Sequence, residues 1–569
     1  MDNANTTLRQ RDRVDLEPLL QEERNDAGDL NNNIDSSTRL GDDESHHHEH
    51  TNAPRCANFS PGSISNLCSA TLGAGALSLP YAMSMTGIIF GVVLLLLSAY
   101  LTIISINIII EACVATQQFK FEDVSKRLAG SSMSIALEAS LLGFCFGTAV
   151  AYIVAVGDIL DQGLHSITFL WEPDNKFVTM YSRERAMILF WTVMLLPLSL
   201  QTKLKRLEKF SSLGVLSIIF LVISAVIHSI IHGDVIRSGA SSSSTPIEVS
   251  SLLWPKSFVS MLQAFPIIIF AFSCQVNVCQ IYEELEPAMP SIRDTSDDIS
   301  NVTILTLKQQ MMKHITRNGI LLCTSLYLLI GVFGFLDFTK STTDDILINY
   351  CIQVTHDTLM TAATFSVFVA VVVAFPFNIL PARVTLKLIF DRLKTKRKRG
   401  LCSKATNLLR LDRGPRVDED TSSQRTPASL EIDAGSPIQS VASDSPMEPL
   451  LDDQIAGQNS ASAIEHVLIT LLLSGGALIV AIFVPGISVV FGLMGGTAAS
   501  IISFILPGMF AQKMKERSGN NTSRVGKVFV WGGLVVGVLT TGTTLYGIFD
   551  NESVDGTTCN PLLHLTRNS

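Results

Sequence analysis

A helix needs about 20 consecutive apolar residues to cross a bilayer, and eleven runs in this 569-residue chain approach or exceed that length. They lie at 64–86, 89–113, 134–161, 186–201, 211–231, 258–283, 318–336, 358–390, 465–485, 488–511 and 526–549; the run at 186–201 is the shortest. An unpaired backbone N–H or C=O in hydrocarbon costs several kcal/mol, so such runs must close their hydrogen bonds within the segment, as helices. The expected fold class is therefore an all-α polytopic membrane protein with about eleven transmembrane helices. Composition agrees: 47% of residues are hydrophobic and 16% charged, and the apolar residues are gathered into runs rather than spread as in a soluble protein.

The remaining segments set the expected domain plan. Residues 1–62 are polar, rich in Asn, Asp, Glu and Arg, and read as a disordered tail. Residues 63–390 hold helices 1–8 and residues 465–549 hold helices 9–11. Between them, 391–464 starts with the basic run Asp391 to Arg399 and turns rich in Ser, Pro and Asp. It is expected to be a disordered loop whose basic start suits anionic lipid. Lys and Arg flank the helix ends unequally. Lys120, Lys126, Arg127, Lys203, Lys205, Arg206, Lys209, the 383–399 run, Lys513, Lys515 and Arg517 fall on one side. That side, with the first tail and the 391–464 loop, is expected to be cytoplasmic. An odd number of spans then puts residues 550–569 outside the cell or in an organelle lumen. The net charge of −9 reflects acidic tails, and no nucleic-acid partner is implied. No cleavable signal peptide opens the chain.

Two of the runs are interrupted. Thr71-Leu-Gly-Ala-Gly-Ala-Leu-Ser-Leu-Pro-Tyr-Ala-Met83 places Gly73, Gly75 and Pro80 inside the first run. The sixth run, from Ala264 to Leu285, turns polar at Ser273, Cys274, Gln275 and Asn277. Small residues also serve close helix packing. A pair of breaks in the first and sixth runs favours a site, because five helices per half is an odd number and makes the halves inverted. Interrupted helices at matching places in inverted halves are where secondary transporters bind substrate. Gly73, Ala74, Gly75 and Ala76 with Ser273, Cys274, Gln275 and Asn277 are thus the candidate substrate residues.

Four motifs carry a family resemblance. Residues 71–83 with Thr86-Gly87 resemble the opening helix of the amino acid/auxin permease superfamily, and 264–285 resembles its sixth helix. Gly157-Asp-Ile-Leu160 resembles its third, and Phe483 to Ser500 with Ile505-Leu-Pro507 resembles its ninth and tenth. The branch most similar is that of the sodium-coupled neutral amino acid transporters and their protist relatives. The resemblance implies a neurotransmitter-sodium-symporter-like fold, an inverted five-plus-five repeat plus one helix. It implies a free amino acid as substrate, its carboxylate on amides around Gly73–Ala76 at a half-helix N-terminus. The ammonium would lie near Ser273, Cys274 and Gln275. Membrane secondary transport, symport included, is the activity implied, with the bilayer as medium and no cofactor.

The coupling ion is where the chain departs from that branch. Sodium-coupled members carry Asn four residues before the first motif Gly, where this chain has Ser69. They carry Thr in the eighth helix just before Pro-x-x-x-x-Pro-x-Arg; here Val372, Val373 and Ala374 precede Pro376. Na⁺ needs oxygen ligands, as other hard cations do, so proton coupling or sodium independence is expected. Ser69, Asp158 and Ala374 are the ion-coupling candidates, with Asp161 and Glu283 as further membrane carboxylates; Asp158 equally reads as a structural cap or pair near the outer interface.

Smaller signals complete the reading. Asp15 stands four residues before Leu19-Leu20, the acidic di-leucine spacing that endosomal sorting adaptors read and that also arises by chance. It favours an endosomal, lysosomal or vacuolar membrane, with the plasma membrane as the alternative. Asn551-Glu-Ser553 is the glycosylation acceptor on the outer side. Cys351 and Cys559 fall outside, as a disulfide or as two free thiols. Asp42 to His50 is a metal-binding, pH-sensing or plain solvated stretch. The inward faces hold no enzyme-like nucleophile–base set or metal cluster, and His165, His228, His232 and His356 fall near run ends or in loops. An enzyme is therefore not expected. The functional alternative to a transporter is an amino-acid-sensing receptor that signals through its tails.

Overall fold

The computed structural model describes residues 61–170, 182–201, 211–232, 252–285, 297–350, 352, 357–411, 448–519 and 523–549. Asp15, Leu19, Leu20, Asn551, Cys351 and Cys559 lie outside them.

The described residues are helical throughout their long segments. α1 (Pro61–Thr71) gives way to a 3₁₀ turn (Ala74–Ser78), and α2 (Leu79–Thr116) follows. α3 (Phe121–Ala129) is short; α4 (Ser131–Leu170) is long. α5 (Arg183–Phe190) passes through a π turn (Trp191–Leu195) into α6 (Leu196–Ser199), and α7 covers Ser211–His232. α8 (Phe258–Ala271) and α9 (Gln275–Glu284) flank a gap, and α10 covers Asp297–Phe338. A connector with a 3₁₀ turn (Thr339–Ser341) and α11 (Ile346–Asn349) leads to α12 (Thr358–Leu411). α13 (Glu448–Phe483) and α14 (Ile487–Met494) follow, then π turns over Gly495–Ala499 and Ile501–Ile505, α15 (Leu506–Arg517) and α16 (Arg524–Phe549).

Among the described residues nine helices are long and apolar enough to cross a membrane. Two local events separate that number from the eleven apolar runs. The first and second runs share α2, which bends at Gly87 instead of breaking into a loop (φ 70°, ψ 165°). Gly87 sits in the left-handed region, and a Cβ there would lie 2.6 Å from the Leu253 carbonyl oxygen, so the bend requires glycine. The run at 186–201 is divided by the π turn at Trp191–Leu195, leaving no single long helix. Helix also reaches into both ends of the expected 391–464 loop: α12 continues to Leu411 and α13 starts at Glu448.

Burial follows the bilayer as solvent. Phe272, Tyr327, Phe375 and Phe491 are fully buried at the centre, where α10 packs on α2, α12 on α4 and α8 on α14. Val528, Trp531, Val538 and Phe549 of α16 stand more than 60% exposed, as expected of a helix facing lipid. α3 differs in kind. Phe121, Val124, Ser125 and Leu128 recur at helical spacing and are buried, Glu122 and Asp123 occupy its first turn, and Lys126 and Arg127 its last. The arrangement suits the helix dipole, and Phe121 seats edge-on against Phe510. Nearby, Glu138 is fully buried and pairs with Arg392 at 2.7 Å, tying α4 to α12. The bundle thus has one end bearing α3 and another bearing the 339–350 connector.

Candidate substrate site between two interrupted helices

The first interruption is a real change of conformation. The last turn of α1 closes with Leu72 N donating to the Cys68 carbonyl at 2.6 Å and Gly73 N to that of Thr71 at 3.0 Å. The chain then narrows into the 3₁₀ turn, where Ala76 N reaches the Gly73 carbonyl at 3.2 Å. Ala74 through Ser78 are buried. The opening amides of such a turn have no intrahelical acceptor. Those amides belong to Ala74 and Gly75.

The second interruption is complementary. α8 ends at Ala271; Ser273 N reaches the Phe270 carbonyl at 3.0 Å, Cys274 N that of Phe272 at 3.0 Å, and Asn277 N that of Cys274 at 3.1 Å. Ser273, Cys274 and Gln275 are buried, whereas Asn277 is exposed on α9.

Three contacts bring the interruptions together. A Cβ on Gly75 would lie 2.9 Å from the Cα of Ala271, so the two backbones abut with no room for a side chain. The Tyr327 hydroxyl, on α10, reaches the Thr71 carbonyl at 2.7 Å and the Ala271 carbonyl at 2.9 Å.

Polar side chains close the space from the other helices. Ser273 Oγ donates to the Ile269 carbonyl at 2.8 Å and lies 3.3 Å from Ser503 Oγ. Ser503 Oγ donates to Gln275 Oε1 at 2.9 Å, and Ser105 Oγ holds the Ser503 carbonyl at 2.6 Å. Gln275 Nε2 is buried with no hydrogen-bond partner among the described residues. Such a donor is costly to leave unmet. Opposite, the Tyr152 hydroxyl would lie 3.2 Å from a Cβ on Gly73. On α12, Asn378 Nδ2 donates to the Ala374 carbonyl at 3.2 Å.

Of the candidate residues, Gly73–Ala76 and Ser273–Gln275 therefore meet, and Asn277 does not join them. Ala374 accepts from Asn378 one turn further along α12. Ser69 is half-buried near the end of α1. Asp158 lies toward the connector end of α4, where it accepts from Arg183 at 2.6 and 3.0 Å. The Glu283 carbonyl accepts from Lys308 Nζ at 3.0 Å. Sequence reasoning missed Tyr152, Tyr327, Asn378 and Ser503. Each is a polar residue in an apolar run, a visible signal, but which of many such residues face the gap is a tertiary matter. It also missed Glu138 and Asp337, two fully buried acids within spans, and set His228 and His232 aside although they stand four residues apart at the end of α7.

The connector closes one end of the gap. Ser78 Oγ donates to the Asp344 carbonyl at 2.6 Å. Asp344 Oδ2 accepts from the backbone N and the hydroxyl of Ser488, both at 3.1 Å, at the start of α14. Asp345 Oδ1 caps α11 through Leu347 N at 2.9 Å. Burial, and after it the Asp158 carboxylate, pushes the Asp345 carboxyl well above the ordinary carboxylate range.

An all-α bundle of membrane-spanning helices, two of them interrupted and meeting at a polar gap, defines an integral membrane protein built as secondary transporters are. The chain matches the model of the transmembrane amino acid transporter protein family over residues 61–550, and it belongs to that family. The family consists of transporters, not enzymes. The chain is 24% identical to vacuolar amino acid transporter 6 of Saccharomyces cerevisiae, over 83% of this chain and 96% of that protein. It is 29% identical to vacuolar amino acid transporter 5 of Schizosaccharomyces pombe, over 51% of this chain and 60% of the other. It is 23% identical to human solute carrier family 38 member 10 over 85% of this chain, a match spanning 34% of that relative's length. A manganese transporter of Eremococcus coleocola superposes with a TM-score of 0.42 at 12% identity, covering 89% of this chain and 90% of that one.

Proposed function

We propose that the protein carries a free amino acid across a vacuolar, lysosomal or endosomal membrane by alternating access, without sodium and driven by protons. The observation that carries this reading is the direct abutment of the two interruptions, Gly75 on Ala271, spanned by Tyr327. An amino acid presents a carboxylate and an ammonium. The opening amides at Ala74 and Gly75 suit the carboxylate, and Gln275 Nε2, buried at the second interruption with no partner among the described residues, is a further donor. Hydroxyl and carbonyl oxygens at Ser273 and Cys274 suit the ammonium. Sodium independence is supported by what stands at the coupling positions: Ala374 supplies no side-chain oxygen, and its carbonyl already accepts from Asn378. The vacuolar assignment is supported by the yeast relatives' names. In this reading residues 1–62 and the loop between α12 and α13 face the cytoplasm, where an adaptor meets Asp15-Leu-Glu-Pro-Leu-Leu20.

The test is uptake by proteoliposomes across the standard amino acids, with sodium replaced by choline at fixed pH and with a proton gradient imposed. The expected result is accumulation of at least one amino acid that survives sodium removal and collapses with the gradient. Binding without accumulation under any gradient, or loss of uptake on sodium removal, would refute the reading.

A further inference from the structure

At the connector end, away from the substrate gap, His228 Nδ1 lies 2.6 Å from Asp337 Oδ2. The two side chains join the C-terminal parts of α7 and α10 and are 11% and 0% exposed. Phe338 stacks over the imidazole at 6.3 Å between ring centroids, Tyr350 meets it edge-on at 5.0 Å, and His232 lies at 5.0 Å. A fully buried carboxylate in a membrane helix is rare and seldom idle. We infer that the His228–Asp337 pair is the site that takes up the coupling proton. This rests on the proton-driven transport proposed above.

The charge arithmetic favours that role. With a neutral imidazole and a carboxylate the pair carries one net negative charge. One added proton makes it neutral overall, whether written as imidazolium–carboxylate or imidazole–carboxylic acid, and the titration belongs to the pair. A buried net charge is expensive and a neutral hydrogen-bonded pair is far less so. Among the described residues His232 on the same helix and Tyr350 on the connector stand against the pair, and Asp357 at the head of α12 acts on Tyr350. Asp337 and Asp357 both act on the Tyr350 hydroxyl.

The route to the substrate is short. Tyr350 ends the connector whose Asp344 holds Ser78 of the first interrupted helix and Ser488 of α14. Gaining or losing a charge under Tyr350 alters the seat of the element that caps the gap. Protonation therefore has a mechanical path to the helix that bears Gly73 and Gly75.

The experiment compares two transport modes in proteoliposomes. Amino acid counterflow at equal pH needs the site to alternate but needs no proton gradient; concentrative uptake needs both. His228→Gln keeps a hydrogen bond to Asp337 and removes the imidazole, Asp337→Asn removes the carboxylate, and the double variant leaves neither group to take a proton. The expected result for either folded single variant is counterflow within about twofold of wild type and uptake driven by the pH gradient reduced at least about tenfold; for the double variant it is, in addition, a flat pH dependence of uptake across the range where histidine titrates, about pH 5–8. Gradient-driven uptake that stays within twofold of wild type in either variant would overturn the inference. So would failure of both variants to fold and insert, which would mark the pair as a structural clasp. A wild-type protein that exchanges amino acids but ignores the pH gradient would instead overturn the proton-driven reading itself.

Discussion

Replacing Tyr327 with Phe isolates the contact that joins the two interruptions. The ring is fully buried and Phe fills the same space, so packing is preserved and only the hydroxyl is lost. One O–H can donate to one acceptor at a time, and it serves two terminal carbonyls, Thr71 at 2.7 Å and Ala271 at 2.9 Å. Its removal leaves one or both acceptors buried without that donor. A buried polar group so orphaned costs about 1–3 kcal/mol. The loss falls on the arrangement in which α1 and α8 touch. A state stabilised less by that amount is populated about 5- to 150-fold less relative to its competitor. Two readouts follow. Initial uptake is expected to fall within that range while the protein still inserts. Alkylation of Cys68 and Cys274 by a membrane-permeant maleimide, localised by peptide mass, is expected to accelerate by a similar factor. Both thiols flank the junction and are 1% exposed. Uptake and labelling both within twofold of wild type would refute the reasoning and reduce Tyr327 to a packing residue.

Three further outcomes test neighbouring parts of the argument. Gly75→Ala puts a Cβ 2.9 Å from the Ala271 Cα, an overpacking of about 1–3 kcal/mol; uptake is expected to fall at least about fivefold in the folded protein, and unchanged uptake would show the backbones part freely. Arg392→Ala leaves the fully buried Glu138 without its cation, at a cost of about 1–3 kcal/mol because Arg392 itself is partly solvated, so the melting temperature in detergent should drop; adding Glu138→Gln should recover most of the loss. Asp345 carries a folded pKa above its unfolded value because of burial first and the Asp158 charge second. Stability from that shift is full below about pH 4 and is lost as pH rises through the folded value. Asp345→Asn, which keeps a cap on α11, should therefore melt higher than wild type at pH 7 and equal to it near pH 4; equal melting at pH 7 would refute the assignment.

The fold class was legible because the bilayer leaves so few choices. Long apolar runs must be helices, and glycine, proline and polar residues inside them mark interruptions without any knowledge of neighbours. That logic located both halves of the candidate site, at Gly73–Ala76 and Ser273–Gln275. It went astray where helix continuity is decided locally: α2 absorbs two apolar runs because Gly87 turns the backbone without ending it, and the π turn at Trp191–Leu195 divides another.

What the chain alone determined is therefore the all-helical membrane class, the two interruptions and the family resemblance. What only the tertiary structure decided is which polar side chain meets which. Tyr327 reaches Thr71 across 256 residues and Ala271 across 56, and His228 finds Asp337 across 109. A membrane helix is apolar on all its faces, so periodicity does not say which face turns inward. The facing is fixed by small residues that admit a neighbouring backbone, as Gly75 admits Ala271, and by the few polar groups that must find partners where water is absent.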